Sequence, residues 1–319
     1  MWRLALLLIF GAARAGLTQT AQARSTIFYA ADPRAISGYA ENAALVRQMV
    51  DALVLATTEK SNLRDAWLSL VQPADRVGIK VSNSGAAFFS SHRSIVSALV
   101  DGLALSGVPR QNILVWDRVS SGSGYDEKAV VSSAIMGKLI WGDLLFVRRQ
   151  HRSGEREEDQ ISDESHWSKA LCSVTKIINV PVLGAVESCG VGGCFYNAII
   201  PNLDNWRRFA QSPDPAFCEL YRDPHLGPKV VLNVVDGLIA QFAGGPEFQP
   251  NYAWNYATIY AGRDPVALDA TALREIESWR SQAQLPSLAK RATFLETAAE
   301  MGLGNSAAER IDCRKVEPR

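Results

Sequence analysis

The chain has 319 residues, of which 47% are apolar and 21% charged, and its 33 basic residues balance 33 acidic ones. That length and apolar content can supply a large core. A net charge of zero lacks the basic excess that nucleic acid or an anionic membrane surface calls for.

Residues 1–23 read as a secretory signal peptide. Met1-Trp2-Arg3 gives a positive start, and Leu4 through Ala13 is an apolar run far shorter than the roughly 20 residues of a membrane span. Ala21-Gln22-Ala23 then supplies a small-x-small cleavage pattern. Ala13-Arg14-Ala15 is a second candidate, so the mature chain is expected to start at Arg24 or at Gly16. The mature protein is expected to be periplasmic or secreted, with no transmembrane segment, as a single domain over residues 24–319.

From Glu41 to Thr58, Leu45, Val46, Met49, Val50, Leu53 and Val54 recur at helical spacing. A shorter helix is predicted over Leu63 to Val71, then a strand over Val77–Val81. A helix from Ser94 to Ser106, closed by Gly107, leads to a strand over Asn112–Asp117. This strand–helix–strand order marks a βαβ unit with parallel strands. Residues 148–169 are dense in charge and read as a solvated excursion, with His151 and His166 as surface residues. Strands resume at Lys176–Val182, Lys229–Val235 and Tyr256–Ala261, and their continuous apolar runs suit a sheet covered on both faces. Asp264 and Pro265 then fit the N-cap and first position of a helix running to about Gln282, and another is predicted from Ser287 to Met301. The fold class is α/β: a mostly parallel sheet flanked by helices, a Rossmann-like three-layer arrangement with no separate second domain.

Three of these strands end in polar loops: Ser82-Asn83-Ser84-Gly85, Ser120-Ser121-Gly122-Ser123-Gly124, and Cys189-Gly190-Val191-Gly192-Gly193-Cys194. In an open parallel sheet, ligands bind outside the carboxyl ends of the strands, so neighbouring strands would bring the loops to one crevice. Lys80, inside an apolar strand, either reaches an anionic ligand there or pairs with a carboxylate such as Asp117. Asp117 and Asp236 each end an apolar strand; both suit metal coordination or acid–base work, and both suit turns. The glycines between Cys189 and Cys194 let backbone amides approach a ligand, but the third glycine of a dinucleotide fingerprint is replaced by Phe195. The two cysteines fit a metal or iron–sulfur site, a redox-active pair or a disulfide closing the loop. The hydrolase elbow, the zinc-protease motif and the Walker loop are absent from the sequence.

Taken together, these segments resemble the family called domain of unknown function 362. The resemblance rests on Val77 through Asn83, His92-Arg93-Ser94 with the helix that follows, and Asn112 through Arg118. It continues through Ile177 to Leu183, Val235-Asp236-Gly237-Leu238 with Gly244-Gly245-Pro246, and Arg263 through Asp269, spanning roughly residues 70–305. The resemblance implies an α/β fold and an export signal; some members also carry ferredoxin-like iron–sulfur modules, whose clustered cysteines are missing here. Where the family often shows Lys-x-His, this chain has Gly184-Ala185-Val186, and where it shows Gly-x-x-Lys-Asn, this chain reads Gly193-Cys194-Phe195-Tyr196-Asn197. Either Cys189, Cys194 and Tyr196 stand in for the missing lysine and histidine, or this branch has changed its ligand or lost catalysis.

The candidate catalytic residues are accordingly Lys80, Asp117, Asp236 and Tyr196. Asn83, Ser84, His92, Asn179, Asn197, Asp264 and Asp269 are candidate ligand-binding residues, and Cys189 and Cys194 candidate metal ligands. The expected function is a small-ligand or metal-associated crevice serving a redox or lyase-type enzyme. The alternative is a non-catalytic periplasmic carrier in which Cys189–Cys194 is a structural disulfide.

Overall fold

Val77-Gly78-Ile79-Lys80-Val81 is buried along its whole length, as a strand covered on both faces must be, and the rest of the sheet is built out from it. The computed structural model describes residues 23–83, 88–118 and 165–318, and the backbone of 125–130. Residues 1–22 of the predicted signal peptide, Ser84, the glycine–serine loop at 120–124, His151 and most of the charged excursion lie outside these residues.

The strands that place the site are β1 (Ser25–Ala31), β2 (Val77–Val81), β3 (Ile113–Trp116), β4 (Lys176–Val180), β5 (Val182–Val186), β6 (Val230–Gln241), β7 (Ala253–Gly262) and β8 (Ile311–Lys315). With the short strand Gly190–Val191 they form one nine-stranded sheet, ordered β8-β1-β7-β6-β4-β2-β3, with β5 beside β6. The run from β6 through β4 and β2 to β3 is parallel, and β8 is parallel to β1. Strand β7 is antiparallel to both β6 and β1. Residues 242–252 join β6 to β7, fewer than the dozen or so that a parallel crossover takes, so the chain turns straight back.

Helices cover both faces. On one, α1 (Ala43–Thr58), α2 (Leu63–Leu68) and α3 (Arg93–Leu105) pack Met49, Leu53, Leu99 and Leu103 against Ile79 and Ile178. On the other, α4 (Cys194–Ile199), α5 (Pro265–Gln282) and α6 (Phe294–Glu300) pack Phe195, Ile276 and Phe294 in the core that holds Ile177. Successive residues of β4 thus serve opposite cores, as the two-residue period of a strand requires. Each fully buried Leu, Ile or Phe contributes about 1.5–3 kcal/mol. The three-layer, single-domain α/β arrangement matches the sequence-based expectation, and no helix among the described residues is long and apolar enough to cross a membrane.

Side-chain caps fix where helices begin. Asn42 accepts from the Leu45 amide and Asn62 from the Asp65 amide, each meeting one of the amides a helix start leaves unpaired. The predicted strand 176–182 is divided at Pro181 into β4 and β5, because proline has no N–H for the ladder. The predicted helix over 287–301 is reduced to α6 after a short 3-10 turn at Ala289–Arg291. Strands β1 and β8 have no counterpart among the predicted elements. His166, expected on the surface, is in the short strand His166–Ser168 and bonds Asp204 through Nδ1 at 2.7 Å.

Candidate functional site

The carboxyl ends of β2, β3 and β4 lie side by side, and the crevice expected there is present. It has a volume of about 220 Å³. Asn83, Asp117, Tyr196 and Asn197 line it, together with Arg118, Trp206 and Glu247; Phe89, Val182, Val186 and Ile200 contribute apolar walls. Asp117 follows β3 directly, and Tyr196 and Asn197 stand on α4, so the two sides of the crevice come from separate elements.

Lys80 is beneath this site and not in it. The residue is 1% exposed, and its ammonium donates to the Val81 carbonyl at 2.7 Å, Asp117 Oδ1 at 2.7 Å and Asn197 Oδ1 at 3.1 Å. An ammonium has three donors, and these bonds use all of them. The expectation that Lys80 meets an anionic ligand is therefore corrected in favour of the ion pair with Asp117. Burial holds the Lys80 pKa below its ordinary value, against the pull of Asp117. Three buried donors satisfied together are what allow an ammonium inside a strand.

The network extends on both sides of the lysine. Asp117 Oδ2 accepts the Asn83 amide at 2.7 Å, which fixes the start of the loop after β2. Asn197 Nδ2 donates to Asn179 Oδ1 at 2.8 Å, and Asn179 Nδ2 donates to Asn233 Oδ1 at 3.0 Å and to the Cys194 carbonyl at 2.9 Å. Asn179 is thus a buried strut on β4 that holds α4 in place, and it does not line the crevice. Strands β2, β4 and β6 and helix α4 are cross-braced by amide side chains. The network is satisfied as far as Asn179, while Asn233 Nδ2 at its far end is buried without a partner among the described residues; buried networks of this kind stiffen the elements they join.

Tyr196 lines the crevice from α4. Its hydroxyl bonds no other described residue. Burial raises the phenol's pKa, and the charges of Cys189, Glu247 and Asp117 add to the effect, so it stays protonated at neutral pH.

Other expected site residues have structural partners elsewhere. Asp236, fully buried, accepts from the His92 amide at 2.6 Å and the Leu238 amide at 3.1 Å, and it bonds His92 Nδ1 at 2.8 Å. The pair locks the start of α3 to β6, and neither member lines the crevice. Burial pulls the His92 pKa down, but the Asp236 carboxylate and the Glu41 charge outweigh it and leave the pKa raised. Asp264 is the N-cap of α5: Oδ1 accepts the Ala267 amide at 2.9 Å, and Oδ2 accepts the Asn305 amide at 2.9 Å and the Ser25 hydroxyl.

Asp269 reaches from α5 to the start of α4 and accepts the Cys194 and Phe195 amides at 2.5 and 3.0 Å. Burial pushes its pKa up to about 6, against the lowering effect of those two bonds. Gly193 permits this approach, since a Cβ there would come 2.0 Å from Asp269 Oδ1. The role expected of Asp264 and Asp269 as ligand-binding residues is corrected to helix capping.

The cysteine readings are corrected too. Cys189 and Cys194 are both free thiols and completely buried. Cys189 Sγ is turned to the Val191 carbonyl at 3.4 Å. Burial and the Asp269 charge raise the pKa of both thiols, the opposite of what a reactive thiolate needs. Among the described residues no three His, Cys, Asp or Glu side chains gather as a metal-ligand set, so Cys189 and Cys194 have no described partners with which to complete a metal or iron–sulfur site.

The sequence reading missed Phe89, Trp206 and Glu247 as lining residues. Glu247 comes directly after the Gly244-Gly245-Pro246 landmark, which was a usable signal. Trp206 is in an irregular stretch with no periodicity to mark it. Its ring has the Arg118 guanidinium 5.7 Å from its centroid, while Arg118 donates to the Leu203 and Asp204 carbonyls at 2.6 and 3.3 Å.

A family model described as "Domain of unknown function (DUF362)" matches residues 77–274. No curated protein and no solved structure matches the chain.

Proposed function

The chain belongs to the domain of unknown function 362 family, and for this member we propose binding of a small organic molecule in the crevice, with proton transfer of lyase or isomerase type as the reaction. One observation carries the reading: Asp117 and Tyr196, a carboxyl and a phenol, line the same crevice. A carboxylate already oriented by Lys80 and the Asn83 amide suits a general base. A phenol kept protonated by burial suits a general acid. Asn197 and Asn83 would orient the ligand, while Lys80 would hold Asp117 without touching it.

A redox-active Cys189–Cys194 pair is not favoured, because burial keeps both thiols protonated. An exported location belongs to the proposal and is supported by the sequence pattern of residues 1–23; N-terminal sequencing of the processed protein tests it.

A non-catalytic carrier is the second reading, favoured by Lys80, Asp117 and Asn197 already being bonded to one another and to the fold. The deciding experiment is to denature the purified protein, identify any released small molecule by mass spectrometry, and incubate that molecule with fresh protein in D2O. Deuterium entering a carbon position, abolished in Asp117→Asn and Tyr196→Phe, is expected for the enzyme. Binding with no exchange and no chemical change would favour the carrier.

A further inference from the structure

Four aromatic rings stand in contact at the mouth of the crevice. Phe89 lines the crevice, and its ring is stacked on Phe248 with centroids 6.1 Å apart and planes 24° apart. Phe248 in turn meets Phe88 at 6.0 Å and Tyr39 at 6.5 Å, and Tyr39 and Phe88 meet each other at 4.8 Å. Phe248 also adjoins Glu247, a second lining residue, so two of the three chain segments that supply the rings border the crevice. Tyr39 and Phe88 are 57% and 48% exposed. Two large rings half in water beside a cleft are a costly arrangement, and covering them would return the burial they lack.

The size of the crevice points to what covers them. A cavity of about 150 Å³ takes up benzene, so one of about 220 Å³ has room for one ring and a small polar substituent and little more. A longer flat molecule would continue past Phe89 onto the exposed rings.

We infer that crevice and rim form one binding surface for a flat, unsaturated amphipathic molecule. Its polar end meets Asp117 and Tyr196, and its apolar body passes Phe89, which is buried in the wall, and stacks along Phe248, Phe88 and Tyr39. The inference rests on the crevice being the ligand site and adds the ligand's chemical class. Aromatic faces favour offset stacking or edge contacts with another π-system over equal contact with a saturated ring, which gives the surface its selectivity.

The test uses biphenyl-4-carboxamide, whose amide can donate to Asp117 and accept from Tyr196, beside its fully saturated analogue, 4-cyclohexylcyclohexanecarboxamide. Binding is followed by NMR titration of the full chain. The biphenyl compound is expected to bind at least about fivefold more tightly than the saturated one. That advantage is expected to vanish in Tyr39→Ser/Phe88→Ser, whose changed positions are exposed enough to leave the fold intact. Tyr196→Phe is expected to weaken both compounds.

Equal binding of the two compounds, unaffected by the rim variant but still weakened by Tyr196→Phe, would overturn the aromatic inference and leave the crevice reading standing. Failure of both compounds to perturb any crevice resonance would count against the crevice itself. A monomer–dimer equilibrium lost in the rim variant would assign the rings to contact with a second copy of the chain and overturn the inference.

Discussion

Lys80 Nζ and Asp117 Oδ1 are 2.7 Å apart, with the two side chains 1% and 7% exposed. The pair connects β2 to the end of β3 and is the charged floor of the crevice. A buried pair of this kind is costly to form and costlier to break, because removing one partner strands the other charge.

Lys80→Met is therefore expected to destabilise the protein by about 3–5 kcal/mol. Adding Asp117→Asn to it should recover part of that loss. Urea unfolding of the two single variants and the double variant measures the coupling; additive losses would show that the pair does not act as a unit.

Asp269 gives a pH dependence of definite sign. Its carboxyl is raised from 3.8 to about 6 in the folded chain, so the folded state holds the proton more tightly than the unfolded state does. Stability from this group is complete below pH 3.8 and is lost as pH rises through about 6. The total is on the order of 3 kcal/mol, from two pKa units at about 1.4 kcal/mol each. Denaturant unfolding of the wild type and Asp269→Asn between pH 4 and 8 should show the wild type losing ground to the variant over that range. A constant difference would contradict the raised pKa.

Gly193→Ala places a methyl group 2.0 Å from Asp269 Oδ1 and must push the carboxylate off the start of α4. A loss of about 1–3 kcal/mol is expected, the usual range for overpacking. Because α4 carries Tyr196 and Asn197, the Tyr196 ring signal should shift as well. An unmoved Tyr196 signal in a folded variant would separate the cap from the crevice.

His92 is expected to titrate above its ordinary value of 6.5, since Asp236 favours the imidazolium and outweighs burial. The stabilisation is fully present below pH 6.5 and fades as pH rises through the folded-state value. The His92 Hε1 resonance reads this directly, with Asp236→Asn as control; a wild-type midpoint below 6.5 would be the contrary result.

Cys189, Cys194 and Cys218 are completely buried free thiols, so in the native protein none should react with a water-soluble disulfide reagent. Unfolding without reductant should expose all three. Mass spectrometry of an alkylated digest locates them; a Cys189–Cys194 bridge found there would restore the loop-staple reading.

The sequence by itself determined the elements whose cause is local. Continuous apolar runs produced β2, β4 and β6, 3.6-residue spacing produced α1 and α3, and Asp264-Pro265 marked the start of α5, because each signal is carried by residues a few positions apart. It also identified the crevice at the strand ends, with Asp117, Asn83, Asn197 and Tyr196 among the residues that line it.

Tertiary structure alone decided what those side chains do. Lys80 acquires its acceptors from its own strand, from β3 and from α4, and Asp269 becomes a cap only because α5 crosses the start of α4. Strands β1 and β8 form at the far edge of the sheet, where pairing between distant segments decides the outcome more than local pattern. Short-range periodicity carries no information about which distant group fills a buried donor's or acceptor's remaining bonds. In a packed interior those partners fix whether a charged residue is exposed to a ligand or spent on the fold.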